Sequence, residues 1–178
     1  VVAGPSNGGD TGASKIVALD GLTGVPHFEF ASLVQFAATP AAGDIDGDGL
    51  PEVVSVEPGS QGRLLAFEHD GALKWQSNTV WTSAQSSAIA LADVDADGDV
   101  EIIAGARLYD HNGIEIWAKP DHIYSASTAA DLDGDGQLEI LTGGSAYRAN
   151  GSLYWSVPGI ENQGGLASHP QVANVNYL

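Results

Sequence analysis

The sequence predicts an all-β fold, a β-propeller built from four-stranded antiparallel blades. Two observations lead to this class. An acidic loop of the form D-x-D-x-D-G-x-x-E occurs three times in 178 residues, beginning at Asp44, Asp93 and Asp131. The same four strand signals recur around each copy, and the loops are spaced by 49 and 38 residues. Repeated four-stranded units of about 40 to 45 residues are typical of propeller blades.

Each repeat contains its strand signals in the same order. A strand of small residues precedes the loop, and a strand of β-branched residues follows it. A third strand ends in a two-residue Asx-Gly turn, which is a strong hairpin signal. A fourth strand carries an aromatic residue four positions after that glycine. The turns are Asp70-Gly71, Asn112-Gly113 and Asn150-Gly151, and the aromatic residues are Trp75, Trp117 and Trp155.

The beginning of the chain fits the same template without its first strand. Val1 to Gly4 has the pattern of a second strand and Ile16 to Leu19 that of a third, while Phe28 lies four residues after Gly24. We expect a segment of a larger propeller, and closure into four blades is the alternative. The predicted blade units are 1–38, 39–83, 84–124 and 125–167, with 168–178 forming the first strand of the next or closing blade.

The three loops have the composition of calcium sites. Carboxylates at positions 1, 3 and 5 converge when the backbone coils tightly, and the glycine at position 6 permits the sharp turn. The carbonyl at position 7 and the glutamate at position 9 would complete an oxygen cage for a hard cation. An acidic turn without metal is the alternative. We predict about three Ca²⁺ ions, held by Asp44, Asp46, Asp48, Leu50 and Glu52, by Asp93, Asp95, Asp97, Asp99 and Glu101, and by Asp131, Asp133, Asp135, Gln137 and Glu139.

These loops differ from EF-hands. An EF-hand has a bidentate acid at position 12 and a helix on each side. Here position 12 is Ser55, Ala104 or Thr142, and the residues after each loop are typical of strands. The loops are therefore expected to connect β-strands.

The net charge of −17 belongs largely to the loops, which hold 13 of the 23 acidic residues. Three bound Ca²⁺ ions would reduce the formal charge to −11. With only six lysines and arginines, a nucleic-acid partner is not expected. The chain has no cysteine, so neither disulfides nor thiol chemistry can operate. No apolar run reaches the ~18 residues of a membrane span, and no membrane insertion is expected.

The loops, each following a strand rich in alanine and glycine, resemble the FG-GAP or VCBS repeats of integrin-α-type β-propellers. The resemblance covers nearly the whole chain and implies that each loop joins the first and second strands of a blade and binds Ca²⁺. Asn174 and Asn176 depart from the pattern in a degenerate fourth copy. Val17 to Gly24, followed by Phe28, also resembles the docking repeat of quinoprotein dehydrogenase propellers. Both resemblances imply that the aromatic residue wedges between neighbouring blades.

For function, we predict a calcium-binding, non-catalytic module of a secreted or cell-surface protein that mediates adhesion or binds a protein or carbohydrate ligand. Extracellular calcium would keep such loops filled. The alternative is the propeller domain of an extracellular enzyme, a polysaccharide lyase or a quinoprotein dehydrogenase. The sequence offers no cysteine, no convergent base with a partner and few basic residues for an anionic cofactor or uronate, which disfavours that alternative.

The ligand is expected on the face opposite the calcium loops, because function in propellers often lies on connections held by a rigid scaffold. Candidate residues there are Phe36, Trp81, His122 and Tyr124. Trp81 is predicted to be exposed, since it lies in a polar segment and its blade already has Trp75 for packing. Further blades or domains of the same parent protein are the other expected partners.

Overall fold

The structure is a computed structural model that describes residues 2–5, 12–35, 38–59, 61–81, 88–119, 126–158 and 172, the first of these ranges by its backbone alone. All regular elements in these ranges are β-strands, and they pair into four sheets. No helix in these ranges is long and apolar enough to span a membrane.

The strands follow one another sheet by sheet along the chain. Sheet 1 consists of β1 (Val2–Pro5), β2 (Ala13–Leu19), β3 (Pro26–Glu29) and β4 (Val34–Gln35). Sheet 2 consists of β5 (Ala41–Gly43), β6 (Glu52–Val56), β7 (Leu64–Phe67) and β8 (Leu73–Gln76). Sheet 3 consists of β9 (Ile89–Ala92), β10 (Glu101–Ala104), β11 (Arg107–Tyr109) and β12 (Glu115–Ala118). Sheet 4 consists of β13 (Ser127–Ala130), β14 (Glu139–Thr142), β15 (Ser145–Tyr147) and β16 (Leu153–Ser156).

Sheets 2, 3 and 4 share one topology, in which each strand pairs antiparallel with the next strand of the chain. An acidic loop connects the first and second strands, and an Asx-Gly hairpin connects the third and fourth. A register shift interrupts the pairing of the third and fourth strands near the same place in all three sheets. The predicted all-β fold of repeated antiparallel sheets is confirmed.

Sheet 1 begins at the second strand of the template, as the sequence predicts. Its main order is β1-β2-β3, which corresponds to strands two, three and four of the other sheets. β4 has no counterpart in the predicted template. It pairs with the start of β2, where Ala13 lies opposite Gln35 and Ser14 lies opposite Val34.

The hydrophobic core lies between successive sheets, because the central strands bury both faces. In β6, Val53 packs with side chains of sheet 1, whereas Val54 packs with side chains of sheet 3. In β10, Ile102 packs towards sheet 2 and Ile103 towards sheet 4. Adjacent strand residues point to opposite faces, so such strands read as continuous apolar runs. The first strands β5, β9 and β13 lie side by side, which places the three acidic loops at corresponding positions.

Aromatic side chains join neighbouring sheets at the hairpins. The indole nitrogen of Trp75 donates a hydrogen bond to the carbonyl of His111 in the next hairpin, at 2.9 Å. Trp117 repeats this contact with the carbonyl of Ala149, at 2.8 Å. The ring of Trp75 lies directly against Gly113, where a Cβ atom would be 2.6 Å from Cε3. The predicted inter-blade wedge is therefore present.

Phe28 and Trp155 are the other members of this aromatic series. Phe28 lies against Gly71 of the hairpin in sheet 2, where a Cβ atom would be 2.8 Å from the ring. Trp155 lies on the fourth strand of sheet 4 and is 39% exposed. Its exposure fits its place on the last sheet of the described chain.

Candidate metal centres

The first aspartate of each acidic loop organises the loop backbone. We refer to residues 44–52, 93–101 and 131–139 as loops 1, 2 and 3. In loop 1, Asp44 Oδ1 accepts a hydrogen bond from the Gly47 N–H at 2.8 Å, and Oδ2 accepts one from the Gly49 N–H at 2.9 Å. Loop 3 repeats both contacts, and loop 2 repeats the second with Gly98. The loops are therefore coiled around their first carboxylate.

The tight coil requires left-handed backbone at positions 4 and 6. Both positions are glycine in loops 1 and 3, with φ between 76° and 93°. In loop 2, position 6 is Gly98, but position 4 is Ala96, with φ of 62°. Ala96 is the one residue other than glycine with positive φ in the described chain. Loop 2 thus holds a conformation that an L-residue adopts at a cost.

Ala96→Gly should raise the free energy of unfolding of the metal-free protein by up to about 1.5 kcal/mol. Left-handed backbone costs an L-residue about 1–2 kcal/mol, and the greater freedom of glycine in the unfolded chain offsets about 0.4–1 kcal/mol of that gain. The control is Ala42→Gly, at an exposed position of β5 that lacks positive φ. This variant should have a free energy of unfolding about 0.5–1 kcal/mol lower than the wild type. Denaturant unfolding measures the stability of both variants. If Ala96→Gly lost as much stability as Ala42→Gly, the left-handed backbone at position 96 would not be a source of strain.

The glutamate at position 9 closes each loop from inside the protein. One of its oxygens accepts a hydrogen bond from the N–H at position 2, at 3.0 Å in loop 1, 2.8 Å in loop 2 and 2.9 Å in loop 3. Glu52, Glu101 and Glu139 are buried, with at most 6% of each residue exposed. The other oxygen of Glu52 is also buried and has no hydrogen-bond partner.

Burial raises the pKa of the Glu52 carboxyl, and the charge of Asp46 adds to the rise. Burial likewise raises the pKa of Glu101, to which Asp95, Asp97 and Asp93 contribute. These buried carboxylates therefore hold their negative charge at a free-energy cost. A bound cation would remove that cost.

Carboxylate oxygens converge in every loop. Three acids per loop offer oxygens that all lie within 4.8 Å of one another: Asp44, Asp46 and Asp48, then Asp93, Asp95 and Glu101, then Asp131, Asp133 and Glu139. The predicted ligands Glu52, Asp97 and Asp135 lie outside these compact groups. That Leu50, Asp99 and Gln137 supply backbone carbonyls stays a prediction. An all-oxygen donor set with a buried carboxylate oxygen that has no hydrogen-bond partner fits a hard cation such as Ca²⁺.

Three basic side chains near the loops were not predicted from the sequence. Lys74 lies 2.6 Å from Asp46 and Arg148 lies 2.9 Å from Asp133. His111 is half-buried, and its Nδ1 lies 3.6 Å from Asp99 Oδ2. All three lie in or next to the hairpins. The sequence offers only a coarse signal for them: the hairpins and the loops share one face of the predicted blades, but no spacing pairs a particular side chain with a particular loop.

A cleft of about 330 Å³ opens between sheets 3 and 4 beside loop 2. Its lining includes Asp95 and Glu101 of loop 2, Ile116 of β12, and Arg148 and Asn150 of sheet 4. The carboxylates of loop 2 are therefore accessible to solvent from one side.

The prediction that Trp81 is exposed is wrong. Only 3% of Trp81 is exposed, and it packs in the core between sheets 2 and 3. Of the polar neighbours that suggested a surface segment, Ser77 and Thr79 form hydrogen bonds within the protein. Ser77 Oγ accepts from the Leu64 N–H and donates to the Thr79 carbonyl. Phe36, His122 and Tyr124 lie outside the described residues.

Comparison with known families gives a match over the first two loops. Residues 44–104 match the FG-GAP-like repeat. This segment is an FG-GAP-like repeat. It includes loops 1 and 2 with the sheet 2 strands between them, and loop 3 repeats the glycine hydrogen bonds and the left-handed glycines of loop 1. No curated protein matches the chain.

Solved structures with the same fold include the V. cholerae biofilm matrix protein Bap1, at 30% identity and a TM-score of 0.69 over 82% of this chain. The exotype rhamnogalacturonan lyase YesX has 23% identity and a TM-score of 0.59 over 82% of this chain. The Bacillus licheniformis rhamnogalacturonan lyase PL11 has 22% identity and a TM-score of 0.54 over the same share. The chain spans 24%, 30% and 31% of those proteins, respectively.

Proposed function

We propose that the protein is a calcium-binding, non-catalytic module of an extracellular protein, with one Ca²⁺ in each acidic loop. The observation that carries the proposal is the buried glutamate that closes each loop, with one oxygen on the backbone and, in loop 1, the other buried without a hydrogen-bond partner. A buried carboxylate beside several aspartates is unfavourable alone and favourable with a divalent cation. The bound ions would brace the connection between the first two strands of each blade.

Calcium suits the donor set better than the other common protein metals. The loops offer oxygen atoms and neither cysteine nor histidine at the predicted ligand positions, which disfavours zinc and copper. Ca²⁺ accepts six to eight oxygens in flexible geometry, whereas Mg²⁺ demands a near-ideal octahedron and retains several waters. Extracellular calcium is high enough to fill sites of moderate affinity.

Glu101→Gln should change stability in opposite directions with and without calcium. In the metal-free protein, the amide oxygen can still accept from Val94 while the buried charge beside Asp95 disappears, so stability should rise by about 1 kcal/mol. Because the pKa of Glu101 is raised, its ionisation costs stability as the pH rises through that pKa. With calcium, the lost ligand should lower stability; a hundredfold loss of saturation equals about 2.7 kcal/mol.

Thermal unfolding with chelator and with calcium measures both halves of this prediction. The control is Glu29→Gln, which removes an exposed glutamate paired with Lys15, outside the loops. Shifts of the same sign in both conditions would mean that Glu101 does not contact the ion.

The proposed role is adhesion or binding of a protein or carbohydrate ligand. Support comes from Bap1, which is named a biofilm matrix protein and is 30% identical over 82% of this chain. The face opposite the loops remains the proposed ligand surface, without Trp81. The likeness to the two rhamnogalacturonan lyases extends to the fold alone, at 23% and 22% identity.

A glycan array probed with and without calcium tests the ligand class. The variant Asp44→Asn/Asp93→Asn/Asp131→Asn, which lacks the first carboxylate of every loop and the negative charge that it carries, is the control. Calcium-dependent binding that the variant loses would support the proposal. A lyase assay on rhamnogalacturonan tests the competing class, and calcium-dependent cleavage would contradict a non-catalytic role.

A further inference from the structure

The ammonium group of Lys74 places a positive charge beside the carboxylates of loop 1. Lys74, on β8, places its ammonium 2.6 Å from Asp46 Oδ2, 2.9 Å from Glu68 Oε1 and 3.9 Å from Glu52 Oε1. Its side chain is only 18% exposed. Asp46 and Glu52 are predicted calcium ligands. The ammonium therefore offsets part of the negative charge that would attract an incoming ion to loop 1.

Loop 3 has a similar arrangement built from a different place in the hairpin. Arg148 Nη2 lies 2.9 Å from Asp133 Oδ2, while Nη1 lies 3.3 Å from Glu139 Oε1 and 3.7 Å from Asp135 Oδ2. The guanidinium also lies over the Tyr154 ring, 4.6 Å from its centroid. This contact holds the charge against the loop.

Loop 2 has no basic residue at either equivalent hairpin position, and Arg148, which lines the cleft beside loop 2, forms its ion pairs with loop 3. The place of Lys74, three residues after the hairpin glycine, is taken by Ile116, which is 51% exposed. The place of Arg148, two residues before the hairpin dipeptide, is taken by Asp110. Among the described residues, no lysine or arginine lies within 4.0 Å of a loop 2 carboxylate, although the loop carries five acids. His111 approaches only the outer Asp99.

Resting on the proposed calcium binding, we infer that the three loops are unequal sites: loop 2 binds calcium first, and Lys74 and Arg148 are resident counter-charges that weaken loops 1 and 3. A cation within 4 Å of the ligand oxygens must move away or repel the entering ion. The ion pairs of Lys74 and Arg148 also reduce the repulsion between the loop carboxylates when calcium is absent. Loops 1 and 3 should therefore keep their geometry without metal better than loop 2 does.

Exchanging the two equivalent side chains tests this inference. The wild type, Lys74→Ile and Ile116→Lys are titrated with calcium by calorimetry. The single variants Asp44→Asn, Asp93→Asn and Asp131→Asn are titrated as well, so that each affinity can be assigned to one loop. Lys74→Ile should tighten loop 1 about tenfold, and Ile116→Lys should weaken loop 2 about tenfold, each about 1.4 kcal/mol. Ile116 is exposed, so its replacement should not prevent folding. The control Lys15→Ile, which removes a lysine paired with Glu29 in sheet 1, should change nothing.

The outcomes separate the inference from the proposed function. Loss of the tightest site in Asp93→Asn, together with opposite shifts in the two exchange variants, supports the inference. Three equal affinities, or no response to either exchange, overturn it while calcium binding stands. No calcium binding by the wild type would overturn the proposed function and the inference together.

Discussion

Removal of calcium by excess chelator should lower the melting temperature of the protein strongly, and added calcium should restore it. A ligand present at a thousandfold excess over its dissociation constant stabilises the folded state by about 4 kcal/mol per site. Three such sites would supply about 12 kcal/mol, which is comparable with the whole stability of a typical domain. The reason lies in the loops, where several carboxylates converge and one is buried.

A matched variant separates loss of calcium from other effects of the chelator. Asp44→Asn/Asp93→Asn/Asp131→Asn should melt at the same temperature with calcium and with chelator. Differential scanning calorimetry measures both proteins. An unchanged melting temperature for the wild type would show that the ions do not brace the fold.

Gly113→Ala should destabilise the protein by about 3 kcal/mol or more. The new Cβ atom would lie 2.6 Å from the Trp75 ring, and the backbone at this position has φ of 78°. Left-handed backbone costs an L-residue about 1–2 kcal/mol, and overpacking costs about 1–3 kcal/mol more. The indole cannot move away freely, because its N–H donates a hydrogen bond to the carbonyl of His111.

The matched control is Gly24→Ala, which has φ of 70° but no atom within 4 Å of the new Cβ. It should show only the net backbone cost, up to about 1.5 kcal/mol, because the smaller freedom of alanine in the unfolded chain offsets about 0.4–1 kcal/mol of the left-handed strain. In a Trp75→Leu background, the cost of Gly113→Ala should fall towards the Gly24→Ala value, because the ring that causes the clash is gone. Denaturant unfolding measures the cycle. Additive costs would mean that the wedge does not constrain the hairpin.

The repeated loops could be predicted because their chemistry is local. The aspartates of each loop and the glycine at position 6 lie within a few residues of one another, so spacing alone specifies the coil. The wedge could also be predicted, because Trp75, Trp117 and Trp155 have a constant offset from the hairpin glycine and the resemblance to propeller families implies that this aromatic residue lies between blades. Both features occur in several repeats of the chain, and a pattern that recurs at the same spacing indicates a structural role more strongly than a single occurrence does.

Features that depend on distant contacts could not be predicted. Trp81 was expected on the surface because its neighbours are polar, yet Ser77 and Thr79 form hydrogen bonds within the protein and Trp81 packs in the core. Lys74 approaches Asp46 from a position 28 residues away. No spacing rule links them, because the contact depends on the pairing of β7 with β8. β4 pairs back onto the start of β2 for a similarly non-local reason.

The most direct test of the account is the number of calcium ions bound per chain. Native mass spectrometry of the wild type in calcium should show up to three ions, and each of Asp44→Asn, Asp93→Asn and Asp131→Asn should lose one. The triple variant should bind none. A wild-type protein that binds no calcium, or a triple variant that binds as much as the wild type, would contradict the assignment of the ions to these loops.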